Sequence, residues 1–224
     1  MRIELPTGTP AELVAADAPA RGLVVMPDIW GLRPLFDDMC ADLSARTGWT
    51  VIAVEPFPGQ DLPGSDDPDG LARRGEALSR RDDGDVMADL LAAADATGTA
   101  PVGLIGFCMG GMYALKASSL GRFDRVVSFY GMIHVPEQFA GPGQGSPLEA
   151  VRDKDRCEVM SIIGTADGFT PPEHVEELEA AGATVVRYEG ADHGFVHDPA
   201  RPTHRPDDAA DAWRRTIEFL GGTA

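Results

Sequence analysis

The sequence Gly-Phe-Cys-Met-Gly-Gly at residues 106–111 places a thiol, that of Cys108, where it could act as a nucleophile. An apolar run at residues 102–105 precedes this segment, and a stretch with helical character at residues 112–117 follows it. The pattern predicts a strand, a sharp turn and a helix, with glycines that let the backbone bend and the thiol project beside a helix N-terminus. A thiol attacks as the thiolate, so the motif requires a base and an acid elsewhere in the chain.

Two later segments supply candidates for that base and that acid. Asp167 follows the predicted strand at residues 159–163, and His193 follows another predicted strand on a loop flanked by glycines. Because the carboxyl ends of parallel strands share one edge of a sheet, we expect Cys108, Asp167 and His193 to meet there. His193 would remove the thiol proton, and Asp167 would orient the imidazole and stabilise its charged form. We therefore expect activity to rise as His193 loses its proton.

Each of these residues also has a structural interpretation. Taken singly, a cysteine after a strand is usually a small core residue, an aspartate there caps a helix, and a histidine is packed or exposed. Their order and their common position at strand ends favour the catalytic interpretation. Cys40, on the apolar face of a predicted helix, and Cys157, just before a strand, are predicted to be structural.

Strand-like and helix-like segments alternate along most of the chain. The predicted strands are residues 23–26, 50–54, 102–107, 125–130, 159–163 and 184–188. The predicted helices are residues 35–46, 85–96, 109–118, 172–181 and 207–220. Continuous apolar strands separated by helices predict an α/β fold with a mostly parallel central sheet covered on both faces. Residues 2–5 and 11–14 predict an antiparallel hairpin at the sheet edge, and residues 56–70 and 141–147 predict surface loops.

The bulk properties narrow the class of protein. A chain of 224 residues fits a single domain, residues 1–224, and its net charge of −17 argues against nucleic acid and anionic membranes as partners. The apolar runs are too short to span a bilayer and the first residues do not resemble a signal peptide, so we expect a cytoplasmic monomer or small homo-oligomer. Three cysteines without metal-like spacing predict reduced thiols and no metal site.

The motifs together resemble those of a known family. The chain is similar over nearly its whole length to the dienelactone hydrolase family, carboxymethylenebutenolidase-like enzymes of the α/β-hydrolase fold. The motifs that carry the resemblance are Pro-Asp-Ile-Trp-Gly at 27–31, Gly-Phe-Cys-Met-Gly-Gly at 106–111, Gly-Thr-Ala-Asp at 164–167 and Asp-His-Gly-Phe at 192–195. In that fold the nucleophile, the acid and the histidine follow one another in this order. The resemblance implies a thiol nucleophile, an acyl-enzyme intermediate, no metal and no organic cofactor.

The resemblance also implies a small-molecule substrate and an oxyanion hole. Members of the family open small cyclic enol-lactones that arise in aromatic-ring breakdown, so a lactone or carboxylic ester is the expected substrate. The oxyanion hole would use the backbone N–H groups of Met109, the residue after the nucleophile, and of Ile29 in the loop after the strand at residues 23–26.

Two positions depart from the family pattern. Asp28 stands where family members have a glutamate that pairs with the resting thiol, so it either gates Cys108, directly or through a water, or caps its own loop. His197 stands four residues after His193, where dienelactone-specific members have an arginine that holds the substrate carboxylate, and it would be a weaker cationic clamp. These departures make an uncharged ester or another lactone plausible.

Other substrate-contact candidates are Trp30 and an arginine before the nucleophile. Four arginines are available there, Arg73, Arg74, Arg80 and Arg81, and the alternative for them is a solvated face.

Two other functions also remain open. A thioesterase would use the same triad, and a catalytically weak scaffold would bind a ligand or sense redox state through its thiol.

Overall fold

The computed structural model describes residues 1–221, and eight strands from that range form one sheet. The strands are β1 (Arg2–Glu4), β2 (Pro10–Val14), β3 (Gly22–Met26), β4 (Thr50–Val54), β5 (Val102–Phe107), β6 (Arg125–Phe129), β7 (Glu158–Gly164) and β8 (Thr184–Tyr188). Their order across the sheet is β1-β2-β4-β3-β5-β6-β7-β8. β2 pairs antiparallel with β1 and with β4, and the remaining pairs are parallel. The predicted α/β class and the N-terminal antiparallel edge are thus confirmed.

Helices pack on both faces of this sheet. Those within the described residues are α1 (Pro34–Thr47), α2 (Gly70–Ser79), α3 (Asp83–Ala96), α4 (Met109–Ala117), α5 (Pro147–Arg152), α6 (Pro172–Ala180) and α7 (Pro206–Phe219). Successive side chains of a strand point to opposite faces, so each buried strand contributes to two cores. In β3, Val24 and Met26 pack in one core with residues of α3 and α4, whereas Leu23 and Val25 pack in another with residues of α1 and α7.

Two helices were absent from the sequence-based prediction. α2 begins at Gly70, where the predicted loop ends, and its buried face includes Arg74 and Gly75 beside Ala77 and Leu78. A charged residue and a glycine on the buried face weaken the apolar periodicity that predicts a helix. α5 has six residues, which is too short for the same pattern to stand out.

The strand order opens a crevice beside β3. β3 lies between β4 and β5, and the connection to β4 passes through α1 on one face while the return to β5 passes through α2 and α3. Where connections leave on opposite faces, a crevice forms beyond the carboxyl ends of the strands. Residues 27–31 follow β3 and Cys108 follows β5, so the topology brings both to this crevice. Within residues 1–221, no helix combines the length and the apolar character needed to cross a membrane.

Candidate active site

Cys108 occupies a strained turn between β5 and α4. Its backbone has φ 56° and ψ −118°, and a positive φ is uncommon for a residue with a side chain. Its N–H donates to the carbonyl of Phe129 over 3.0 Å, and its carbonyl accepts from the N–H of Met112 over 3.0 Å. The turn is therefore held from the neighbouring strand and from the first turn of the helix, and the half-buried thiol lies at the helix N-terminus.

Two glycines make this turn possible by close backbone approach. A Cβ on Gly106 would lie 2.0 Å from the carbonyl oxygen of Gly110. A Cβ on Gly110 would lie 2.2 Å from the carbonyl oxygen of Met26, at the end of β3. Helix α4 can thus approach both β5 and the loop after β3 only because these positions lack side chains.

His193 and Asp167 form a second part of the site. The Nδ1 atom of His193 lies 2.8 Å from Oδ2 of Asp167, and the other carboxylate oxygen of Asp167 accepts from the N–H of Phe169 over 2.8 Å. A carboxylate fixed in this way holds the proton of the histidine on Nδ1, which leaves Nε2 free for proton transfer. Nε2 is buried and makes no well-aligned hydrogen bond with any residue in the described range.

The surroundings of His193 determine its charge. Burial lowers the pKa of His193, but the charge of Cys108 and the hydrogen bond with Asp167 outweigh burial and raise the pKa to about 10. An opposite charge close by favours the charged form of a histidine. The site therefore favours a protonated His193 at neutral pH. The expectation that activity rises as His193 loses its proton assumed a neutral histidine, and this shift reverses that expectation.

Cys108 and His193 open into one cavity, which holds about 110 Å³ of space that the centre of a water molecule can reach. Its lining consists of Asp28, Ile29, Trp30, Leu71, Leu78, Cys108, Met109, Met132, Phe139, Phe169, His193 and Arg201. Eight of these twelve side chains are apolar. Leu71 and Phe169 are 50% and 38% exposed, so they form an apolar rim at the opening. The cavity therefore suits a small, largely apolar molecule that bears few polar groups.

The predicted oxyanion-hole residues border the same cavity. Ile29 and Met109 both line it, and within residues 1–221 neither backbone N–H donates a hydrogen bond to another group. Met109 is the first residue of α4, where N–H groups have no partner inside the helix. The carbonyl of Ile29 accepts from Arg74 over 3.0 Å, which fixes the following peptide. Two unpaired donors beside the thiol are what a developing oxyanion requires.

Asp28 lines this cavity, and it is 1% exposed and accepts four hydrogen bonds. Oδ1 accepts from Arg33 over 2.7 Å and from the N–H of Trp30 over 3.0 Å. Oδ2 accepts from Arg33 over 3.0 Å and lies 2.8 Å from Nε2 of His197. Burial raises the pKa of Asp28, but the bonds from His197 and Arg33 hold that pKa well below its usual range. A gating contact between Asp28 and the thiol stays a prediction, one that these four bonds do not favour.

His197 is the residue that the structure separates from the predicted substrate site. Its side chain has no solvent exposure, and it packs between Asp28 and Tyr130, whose hydroxyl bonds to Nδ1. Burial lowers the pKa of His197 more than the bond with Asp28 raises it, so the ring is neutral at pH 7. Both ring nitrogens are already engaged, with Asp28 and with Tyr130, so neither is available to a substrate carboxylate. A substrate contact at His197 stays a prediction that this geometry does not favour, whereas Trp30 does line the cavity.

The four arginines before the nucleophile lie outside the lining of this cavity. Arg74 is buried and donates to the carbonyls of Ile29, Pro63 and Leu62 over 3.0, 2.7 and 3.2 Å. Arg80 pairs with Glu76, and Arg81 pairs with Asp89 over 3.3 Å. Arg73 is exposed on α2. In this group, Arg74 fixes the long loop against the loop after β3, and neither it nor the others line the site.

The cation that does line the cavity is Arg201, which the sequence reasoning missed. The carboxylate of Asp198 pairs with Arg33 at 3.9 Å, and Arg201 has no salt-bridge partner within residues 1–221. Arg201 lies eight positions after His193 in the sequence Pro-Ala-Arg-Pro, which reads as an ordinary turn. Only the path of the loop after β8 brings it back to the site, so the sequence held no clear signal for it.

The fold, with its mostly parallel sheet and antiparallel N-terminal strands, is that of an α/β-hydrolase. The model of the dienelactone hydrolase family matches residues 10–223, and the chain belongs to that family. It is a hydrolase that resembles the dienelactone hydrolases.

Individual relatives agree with this assignment. The chain is 29% identical over 213 residues to a "putative carboxymethylenebutenolidase" of Synechocystis sp., a match that covers 88% of this chain and 84% of that protein. It is 28% identical over 213 residues to the carboxymethylenebutenolidase of Rhodococcus opacus, covering 88% of this chain and 79% of that one. The crystal structure of a "putative dienelactone hydrolase" from Klebsiella pneumoniae superposes with a TM-score of 0.84 at 25% identity, covering 98% of this chain and 97% of that one.

Proposed function

We propose that this protein hydrolyses a small lactone or carboxylic ester through a covalent acyl-enzyme on Cys108. The observation that carries the proposal is the shared cavity of Cys108 and His193. Within it, Nδ1 of His193 lies 2.8 Å from Asp167, and Nε2 has no hydrogen-bond partner among residues 1–221. Nucleophile, base and orienting acid are the three roles that covalent acyl transfer requires.

Acylation begins from the ion pair of a Cys108 thiolate and a protonated His193. The thiolate attacks the carbonyl carbon, and the carbonyl oxygen becomes an oxyanion that accepts bonds from the N–H groups of Met109 and Ile29. The carbon–oxygen bond to the leaving group then breaks. His193 gives its Nε2 proton to the departing oxygen, which leaves a thioester on Cys108 and a neutral His193. In a lactone the departing oxygen stays attached to the acyl chain.

Deacylation uses the same groups in the opposite sense. Neutral His193 takes a proton from a water molecule as the water oxygen attacks the thioester carbon. The carbon–sulfur bond breaks, the carboxylic acid leaves, and Cys108 returns as the thiolate beside a protonated His193. Asp167 stays ionised throughout and stabilises the imidazolium.

The cavity lining supports a substrate that is mostly apolar and carries at most one anionic group. The apolar walls favour a short hydrocarbon or unsaturated ring, and Arg201 is a free cation within the lining. A guanidinium can hold a carboxylate through two parallel hydrogen bonds, which makes a monocarboxylate lactone compatible with the site. A thioester substrate would use the same triad and differ only in its leaving group.

The test is turnover of a dienelactone and of chromogenic short-chain oxygen and thioesters by the native protein and by Cys108→Ala. We expect the native protein to hydrolyse at least one of these and to show a burst of leaving group equal to the enzyme concentration, as an accumulating acyl-enzyme requires. Mass spectrometry of the quenched reaction should find the acyl group on Cys108. Turnover by Cys108→Ala at the native rate would refute the proposal.

A further inference from the structure

Three buried polar side chains and the partly exposed Arg33 form a connected group beside the catalytic cavity, and the proposed reaction does not use them. They are Arg33, Asp28, His197 and Tyr130, here called the Asp28 network. The carboxylate and the imidazole are each less than 5% exposed, and the phenol ring is fully buried. Polar groups are kept at such depth only when their hydrogen bonds are satisfied, so their partners show what they hold in place.

The protonation states in the network follow from its contacts. Burial raises the pKa of Tyr130 well above its ordinary value, so its hydroxyl keeps its proton and donates to Nδ1 of His197. His197, neutral because burial lowers its pKa, then carries its own proton on Nε2 and donates it to Asp28. Each polar atom is therefore either a donor or an acceptor. The donated hydrogen bonds run from Tyr130 through His197 to the carboxylate of Asp28.

The carboxylate of Asp28 has no capacity left for the thiol. A carboxylate offers about four lone-pair sites, and Asp28 accepts four bonds, two of them from Arg33. The bond from the N–H of Trp30 ties the carboxylate to its own loop, residues 27–31, and the carbonyl of Asp28 accepts from the N–H of Gly31 over 3.0 Å. The network thus pins the turn that carries the Ile29 N–H.

We propose that the Asp28 network is a positioning device that sets the Ile29 N–H in the oxyanion hole, and that Asp28 does not gate the thiol. Arg74 holds the same loop from the other side through the carbonyl of Ile29. The network also touches the triad, because the ring of Tyr130 meets His193 edge-on at 5.1 Å between ring centres. This inference rests on the proposed hydrolysis, since only a reaction that passes through an oxyanion needs this donor.

Two reactions at the same sulfur separate positioning from gating. Ester hydrolysis passes through an oxyanion and needs the Ile29 N–H. Alkylation of Cys108 by iodoacetamide displaces iodide at a saturated carbon, forms no oxyanion, and reports only on the thiolate and His193. A positioning network therefore affects the first reaction and spares the second, whereas a gate over the thiol affects both.

The experiment measures kcat, KM and the iodoacetamide rate for the native protein, Asp28→Asn, His197→Ala and His197→Gln. We expect kcat to fall about 10- to 100-fold in Asp28→Asn and His197→Ala, less than loss of a whole oxyanion donor, with KM and the alkylation rate within about threefold of native. His197→Gln should recover part of kcat, because its amide can donate to Asp28 and accept from Tyr130.

Asp89→Asn is the matched control. Asp89 is also a buried carboxylate, bonded to Thr9 over 2.7 Å and paired with Arg81, but it lies outside the cavity lining. The Asp89→Asn variant should have a lower melting temperature than the native protein and the same kcat. Tyr130→Phe removes a single hydroxyl, and it provides a milder variant if Asp28→Asn does not fold.

The outcomes separate the hypotheses. An unchanged kcat in the folded network variants would overturn the positioning role. A faster alkylation in Asp28→Asn would show that Asp28 restrains the thiol, and would overturn it equally. Failure of the native protein to hydrolyse any ester or lactone, despite rapid alkylation of Cys108, would instead contradict the proposed function and not the network.

Discussion

The site contains two histidine–aspartate pairs whose geometry is nearly the same and whose chemistry is opposite. His193 lies 2.8 Å from Asp167, and His197 lies 2.8 Å from Asp28. Burial lowers the pKa of both histidines, yet the pKa of His193 ends at about 10 and that of His197 stays below its ordinary value. The carboxylate partner therefore does not determine which histidine can carry a proton in catalysis.

The residues that lie beside each histidine–aspartate pair account for the difference between the two pKa values. His193 has Cys108 beside it, and the charge of that residue favours the imidazolium. His197 has the cations Arg33 and Arg201 near it, whose charges disfavour the imidazolium, and both of its ring nitrogens are engaged. The pair that we propose to be catalytic differs from the Asp28–His197 pair in two ways. Its Nε2 has no hydrogen-bond partner among residues 1–221, and Cys108 lies beside it.

The largest expected effect comes from removing the proposed nucleophile, Cys108, or the proposed proton donor, His193. Cys108→Ala or His193→Gln should lower kcat by about 10⁴-fold or more, because neither the nucleophile nor the proton donor has a substitute in the lining. The loss of kcat is measured by steady-state ester hydrolysis with each purified variant. Retention of more than a tenth of native kcat by His193→Gln would mean that another group moves the proton.

Selective labelling of the three thiols tests whether His193 and Asp167 make the sulfur of Cys108 reactive. Burial raises the pKa of Cys40 to about 12 and that of Cys157 to about 11, so both stay protonated at pH 7. Cys157 is a matched control because it is half-buried, as Cys108 is. Iodoacetamide followed by peptide mass spectrometry should label Cys108 about 100-fold faster or more. Equal, slow labelling of all three would favour the inert scaffold.

The pH dependence tests the opposite charge states directly. His193 is protonated below its raised pKa, so ester turnover should fall as the pH rises through about 10, when the leaving group loses its proton donor. His197 is neutral across the same pH range. His197→Gln should therefore change the rate of turnover at every pH and leave the fall in rate near pH 10 unchanged. A limb near pH 6.5 to 7 in the native protein would mean that the histidine is neutral at rest.

The smallest expected effect concerns Arg201, which lies close to both pairs. Arg201→Gln should raise KM about tenfold for a lactone that bears a carboxylate and leave KM for a neutral ester unchanged, since it removes one charge-assisted contact. Arg46→Gln, an exposed arginine paired with Asp42, is the control. The same KM for both substrate types in Arg201→Gln and in the native protein would exclude Arg201 from substrate binding.

Much of the fold followed from local patterns. Continuous apolar strands such as residues 50–54 and 102–107 predicted a parallel sheet, because a strand buried on both faces has no polar alternation. The family and the position of Cys108 between a strand and a helix likewise followed from short motifs. α2 was missed because its buried face contains Arg74 and glycines, which conceal the helical period.

The features of the candidate site also divide into those that followed from the sequence and those that did not. By itself, the sequence determined the order of Cys108, Asp167 and His193 and the ends of strands from which each projects. These features depend on chain periodicity and on glycines whose absent side chains permit the turn at residues 106–111.

Only the tertiary structure decided three features of the site. They are which histidine faces the cavity, that four hydrogen bonds fill the acceptor sites of Asp28, and that Arg201 lines the cavity without a salt-bridge partner among residues 1–221. His197 and Asp28 are 169 positions apart, and the charge and proton of each depend on neighbours brought together by different loops. Hydrogen-bond partners and electrostatic surroundings act through space, so residue type and spacing along the chain do not specify them.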